Sequence, residues 1–115
     1  MAAVPFSAPG EQITRVHLAL DDNVGLGPAL DAGLAASSHE IVARMDADDV
    51  SLPERFAVQV PLLEEGYDLV GSALLEFAEH EDDIVGRRTP PLGQDEIRAW
   101  SRFHDPFNHP TVVYR

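Results

Sequence analysis

Apolar residues in this chain come in short bursts between polar turns, and the spacing inside each burst predicts an element. Val16, Leu18 and Leu20 alternate with Arg15, His17 and Ala19, the pattern of a strand over residues 13–20 with one buried face. The turn Asp21-Asp22-Asn23-Val24-Gly25-Leu26-Gly27 is rich in residues that tolerate positive φ. A helix over residues 28–38 should follow, with Pro28 in its first turn and Leu30 and Leu34 on one face. Residues 40–45 hold the apolar run Ile41-Val42-Ala43, suited to a buried parallel strand. A second helix, over 53–65, sets Phe56, Val60 and Leu63 on one stripe; Pro61 should bend it and Gly66 should cap it. Residues 68–77 read as a longer strand in which Gly71 marks a bulge or a close backbone approach. A returning strand over 84–88, a helix over 94–103 carrying Ile97 and Trp100, and a last strand over 111–114 complete the pattern. The order of the strand over 13–20, the helix over 28–38 and the strand over 40–45 predicts a βαβ unit with a right-handed crossover, and hence an α/β fold. Residues 1–10, with Pro5, Pro9 and Gly10, read as a loose lead-in.

Composition narrows the function classes. The chain has 115 residues, which is one domain or part of one. Its formal charge of −12 argues against nonspecific binding to nucleic acid or to an anionic membrane surface. There is no Cys, so disulfides, thiol catalysis and thiolate metal sites are excluded, which agrees with a cytoplasmic protein. No apolar run reaches transmembrane length, and residues 1–10 lack the basic and apolar regions of a signal peptide.

Candidate chemistry concentrates in Arg44-Met45-Asp46-Ala47-Asp48-Asp49. The run lies where a predicted strand ends, the position at which open α/β sheets bind ligands. Crowded carboxylates repel one another unless a cation or ligand donors compensate. Mg²⁺ and Mn²⁺ favour such oxygen ligands together with phosphate oxygens, so the run is a candidate metal–phosphate site. A solvated turn is the competing account, with Asp49 or Ser51 capping the following helix. An EF-hand is excluded, because Ser51 and Ala57 stand where that loop needs Gly and Glu. Gly25-Leu26-Gly27 is not a dinucleotide fingerprint, since Leu30 replaces its third Gly.

Three segments carry a resemblance. Asn23-Val24-Gly25-Leu26-Gly27-Pro28-Ala29-Leu30-Asp31-Ala32-Gly33-Leu34 resembles the Asn-X-Gly-Leu-(small)-X-Ala-Leu-Asn-X-Gly-Leu segment of family-2 glycosyltransferases. Residues 43–56 are similar to that family's Asp-X-Asp stretch, and Asp105-Pro106-Phe107-Asn108-His109-Pro110-Thr111-Val112 to the Asn-Pro-Phe-X-His-Pro-Thr-Val segment of one bacterial branch. The likeness runs from about Val16 onward.

The resemblance implies a GT-A fold, a Rossmann-like mixed sheet flanked by helices, and a nucleotide-diphosphate sugar as donor. It implies a divalent metal, Mn²⁺ or Mg²⁺. Asp48 would coordinate the metal directly, and Asp46 would face the ribose or a metal-bound water. Asp49 would cap a helix or stand behind the ligands. Arg44 is either a paired strand residue or a group near phosphate. Asn108, His109 and Thr111 are candidates for the substrate side, His109 equally for a structural bond.

Family members open with two further strands and continue to an acidic pair whose Asp serves as general base. This chain shows neither, Asp31 stands where Asn is usual, and Pro61 interrupts a helix normally free of Pro. Residues 1–115 are therefore expected to be a partial glycosyltransferase domain with an incomplete GT-A fold and no assignable catalytic base. The expected partners are the donor, an acceptor of unknown type (saccharide, lipid or protein) and a second copy of the chain through an unpaired sheet edge. The expected setting is the cytoplasm or, through further segments or partners, the inner face of the membrane. A non-catalytic remnant that binds metal or protein is the alternative.

Overall fold

The computed structural model describes residues 14–115. They fall into two compact units, one ending at Ser38 and one spanning His39–Arg115.

In the first unit, residues 14–20 are irregular and exposed, not the strand that their alternation predicts; Ile13 lies outside the described residues. Alternation specifies a strand only when a neighbouring strand takes up its hydrogen bonds, and none does so here among the described residues. The Asx-type turn does form: Asn23 Oδ1 accepts from Gly25 N at 3.1 Å, and Gly25 adopts φ 85°. That turn launches α1, Leu26–Ala35, which starts earlier and stops sooner than the pattern suggests.

The second unit is built on one short strand. β1 (Val42–Ala43) and β2 (Leu69–Val70) both pair with β5 (Val113–Tyr114), in the order β1-β5-β2. Each pairing with β5 is antiparallel, so β1 and β2 run parallel to one another on either side of it. The βαβ unit predicted over residues 13–45 does not form among the described residues, because residues 14–20 are irregular; a strand–helix–strand unit is found instead at β1–α2–β2, with β5 inserted between its strands. β1 is shorter than predicted and Ala43 is exposed rather than buried.

Helix α2, Arg55–Glu64, connects β1 and β2 and packs over β5. Its buried face is Gln59 and Leu63, whereas Phe56 stays exposed. The helix continues through Pro61 and ends in paired C-terminal bonds, Tyr67 N to Leu62 O at 3.3 Å and Gly66 N to Leu63 O at 3.2 Å. Gly66 sits at φ 108°, the conformation this stop requires. Among the described residues the buried apolar core is Leu63, Val112 and Val113, a narrow seam between α2 and β5.

The predicted long strand over 68–77 divides at Gly71. Its second half, β3 (Leu74–Phe77), pairs with β4 (Ile84–Arg88) as a separate antiparallel hairpin. A Cβ on Gly71 would lie 2.9 Å from a Phe107 ring carbon, so the glycine marks a close approach. Helix α3, Gln94–Trp100, and a 3₁₀ turn at His109–Thr111 lead into β5. No helix among the described residues is long and apolar enough to cross a membrane.

Candidate functional site: an acidic turn beside a buried polar hub

The acidic turn begins where β1 meets β5. Arg44 N donates to Val112 O at 2.9 Å, extending the pairing by one residue. The chain then leaves the sheet and turns back, with Asp49 N donating to Asp46 O at 3.3 Å.

Arg44 projects inward, with 11% of its side chain accessible, and its Nη2 donates to Asp46 Oδ1 at 2.9 Å. That bond commits one carboxylate oxygen of Asp46, whose side chain is still 44% accessible. Arg44 Nε and Nη1 are buried and make no hydrogen bond among the described residues. Orphaned guanidinium donors are costly and mark a place where an acceptor would be stabilised.

Asp48 is exposed, and no hydrogen bond or ion pair is made by its carboxylate among the described residues. Asp49 is exposed too, and neither it nor Ser51 caps α2: Glu54 occupies the N-cap and makes no side-chain cap bond. The structure therefore couples Arg44 to Asp46 and leaves Asp48 apart.

Behind the turn lies a hub that patterning did not single out. Arg55 Nη2 donates to Arg44 O at 2.8 Å, and Arg55 Nε to Gln59 Oε1 at 3.0 Å. Gln59 Nε2 in turn donates to Thr111 O at 2.8 Å and Val70 O at 3.3 Å. One turn of α2 thereby satisfies carbonyls at the end of β1, at the end of β2 and just before β5. Burial lowers the Arg55 pKa from its ordinary value, and the nearby negative charge of Asp49 opposes that shift. The available signal was the spacing of Arg55, Gln59 and Leu63 along one helical face, polar at two positions.

The third sequence segment closes the hub from the other side. The Thr111 hydroxyl meets Asn108 O at 2.8 Å, Ser72 N at 3.0 Å and Ser72 O at 3.2 Å, and the residue is buried. The Asn108 amide nitrogen donates to Ser72 O at 2.9 Å and Arg88 O at 3.4 Å. His109 is exposed and pairs through Nε2 with Asp105, whose other oxygen accepts from Phe107 N at 2.9 Å.

An open cleft of about 610 Å³ lies between the start of α2 and the β3–β4 hairpin. Met45, Asp49, Arg55, Gln59 and Thr111 reach its wall, but Asp46 and Asp48 do not. The cavity and the two carboxylates therefore do not coincide, and the chemistry of the carboxylates is the better guide to a charged ligand.

A divalent cation can be tested against this donor set. The described residues contain no group of three or more His, Asp or Glu side chains able to hold a metal by themselves. One or two carboxylates completed by phosphate oxygens and water is, however, the usual way Mg²⁺ is held at a phosphate substrate. Asp46 has one carboxylate oxygen outside its bond to Arg44, and the Asp48 carboxylate is uncommitted among the described residues, so both are donors of the type that mode uses.

The acidic turn thus stands at a strand end of an α/β scaffold. The chain matches glycosyl transferase family 2 over residues 10–114 and belongs to that family. Its α/β elements are the portion of the GT-A fold carried by these residues. It is 44% identical over 102 residues to the amylovoran biosynthesis glycosyltransferase AmsE of Erwinia amylovora, covering 87% of this chain and 38% of that protein. An uncharacterized glycosyltransferase of Haemophilus influenzae is 39% identical, covering 84% of this chain and 37% of the relative. The Escherichia coli UDP-Gal:alpha-D-GlcNAc-diphosphoundecaprenol beta-1,3-galactosyltransferase is 31% identical, covering 84% and 35%. The chain thus spans little more than a third of the length of these relatives. No solved structure matches it.

Proposed function

We propose that this chain carries the donor side of a sugar transferase, binding a nucleotide-diphosphate sugar through the acidic turn. The observation that carries the reading is the division of labour in that turn. Asp46 is held by Arg44 at 2.9 Å, while exposed Asp48 has its carboxylate uncommitted among the described residues.

Asp48 would contribute the direct metal ligand and Asp46 its second oxygen, or a contact to the ribose or to a metal-bound water. When bound, Mn²⁺ or Mg²⁺ supplies charge neutralisation for the departing nucleoside diphosphate. Arg44 fixes the Asp46 carboxylate, and its Nε and Nη1, which have no partner among the described residues, favour an anion nearby. Asn108, Thr111 and His109 would serve the substrate side, the first two by holding the backbone at Ser72 and His109 by holding Asp105.

The acceptor is a saccharide, lipid or protein; the relative that acts on a GlcNAc-diphosphoundecaprenol supports a lipid-linked sugar. No residue of the chain is assigned as the catalytic base. The three-stranded sheet ends at β1 and β2, and a second copy pairing at one of these edges would give a homodimer. We place the protein in the cytoplasm, at the inner face of the membrane if further segments or partners bring it there.

Calorimetric titration with Mn²⁺, with and without UDP and then GDP, tests the donor reading. One of the two nucleotides should bind only with metal present. If the folded chain takes up neither nucleotide nor metal, the donor site is refuted and a non-catalytic remnant stands.

A further inference from the structure

A second cleft, of about 360 Å³, lies between β4, α3 and the loop before the 3₁₀ turn. Arg87, Arg88, Trp100, Asp105, Phe107 and Asn108 line it. The donor reading uses none of its aromatic or basic groups. We propose that this cleft binds a phosphorylated saccharide, the sugar on Trp100 and the phosphate on Arg87. Its role as the acceptor subsite rests on the sugar-transfer reading; the binding itself does not.

The lining matches the two chemistries of such a ligand. A sugar ring presents apolar C–H faces, which pack on an aromatic plane, and hydroxyls that need both donors and acceptors. Trp100 is 50% exposed, so its ring is not consumed by the core. Asp105 and the Asn108 amide oxygen offer acceptors, the Asn108 amide nitrogen being committed to Ser72 O and Arg88 O, and the arginines offer donors. For the phosphate, arginine is the residue of choice, because its planar fork matches the anion's geometry. Arg88 pairs with Glu76 at 2.6 Å, but Arg87 makes no ion pair among the described residues. The chain has no lysine, and four of its eight arginines (87, 88, 98 and 102) fall in this stretch despite a net charge of −12. Asp105 is the one anionic side chain in the lining, and His109 pairs with it from outside the cleft.

The cleft is also held in shape before any ligand arrives. Phe107 is wedged against Gly71, where even a methyl group would clash at 2.9 Å. Asn108 is tied to Ser72 O, and Asp105 to Phe107 N and His109. A site whose side chains are already fixed loses less entropy on binding. Arg87 lines the first cleft as well.

Trp100 is the single tryptophan of the chain, so its fluorescence reports directly on the cleft. We would titrate the full chain with glucose 1-phosphate and N-acetylglucosamine 1-phosphate, and with orthophosphate as control. The expected result is a saturable change in Trp100 emission with at least one sugar phosphate. Orthophosphate should bind at least tenfold more weakly. Arg87→Ala should weaken the sugar phosphate tenfold or more, and Arg87→Lys should recover part of that loss. The change should persist in saturating UDP and Mn²⁺. The proposal is overturned by no saturable change, by a change that survives Arg87→Ala, by equal affinity for orthophosphate, or by displacement with UDP. A chain that binds the sugar phosphate but no UDP keeps this site and loses the donor reading.

Discussion

The inner face of α2 and the acidic turn are both polar, and they sit side by side, yet they are built in opposite ways. Gln59 is 3% exposed, and both ends of its amide are bonded, to Arg55 on one side and to two backbone carbonyls on the other. Asp48 is exposed with its carboxylate uncommitted among the described residues. A buried polar group must find its partners inside the fold, so its role is to fix the fold. An exposed carboxylate costs the fold little, so it stays available to a ligand. Arg44 stands between the two: its backbone belongs to the sheet, and its guanidinium is bonded to Asp46 through Nη2, with Nε and Nη1 unbonded among the described residues.

Substitutions should separate these regions by what they damage. Leu63 is fully buried at the α2–β5 seam, and Leu63→Ala should lower unfolding stability by about 3 kcal/mol, read by urea denaturation. Gln59→Leu keeps the volume but strands the carbonyls of Val70 and Thr111, for a loss of about 2 kcal/mol in the same assay. A loss as small as that of a surface change would mean that the hub is not what holds the strands. Gly66→Ala forces a side chain onto φ 108° and should cost about 1 kcal/mol, visible as a lower urea midpoint at unchanged slope. Asp48→Asn comes last, shifting stability by less than about 0.5 kcal/mol because it removes no bond made within the described residues.

Much of this arrangement was legible in the chain. The α/β class, β4 and the Gly66 stop follow from spacing and from glycine chemistry, and of the two readings of Gly71, a bulge or a close approach, the structure takes the second. The acidic turn stood out because four residues hold three carboxylates. The failures have physical causes. Residues 14–20 alternate, but alternation needs a strand to pair with, and only the fold supplies one. The apolar stripe Phe56–Val60–Leu63 placed Leu63 correctly but not Phe56, and it missed that the inward face of α2 presents Arg55 and Gln59 to strand-end carbonyls. No periodicity rule anticipates a face chosen by backbone acceptors. The Asp105–His109 pair was likewise hidden, since i,i+4 partners in a proline-rich loop follow no helical template.

The most direct test of the central claim is UDP affinity in the presence of Mn²⁺, measured on Asp48→Asn and Gln59→Leu side by side, each alongside its urea midpoint. Asp48→Asn should keep the wild-type midpoint and lose metal-dependent binding by at least tenfold, whereas Gln59→Leu should lose stability first. Wild-type UDP affinity in a folded Asp48→Asn chain would contradict the account, because the exposed carboxylate would then not be where the ligand binds.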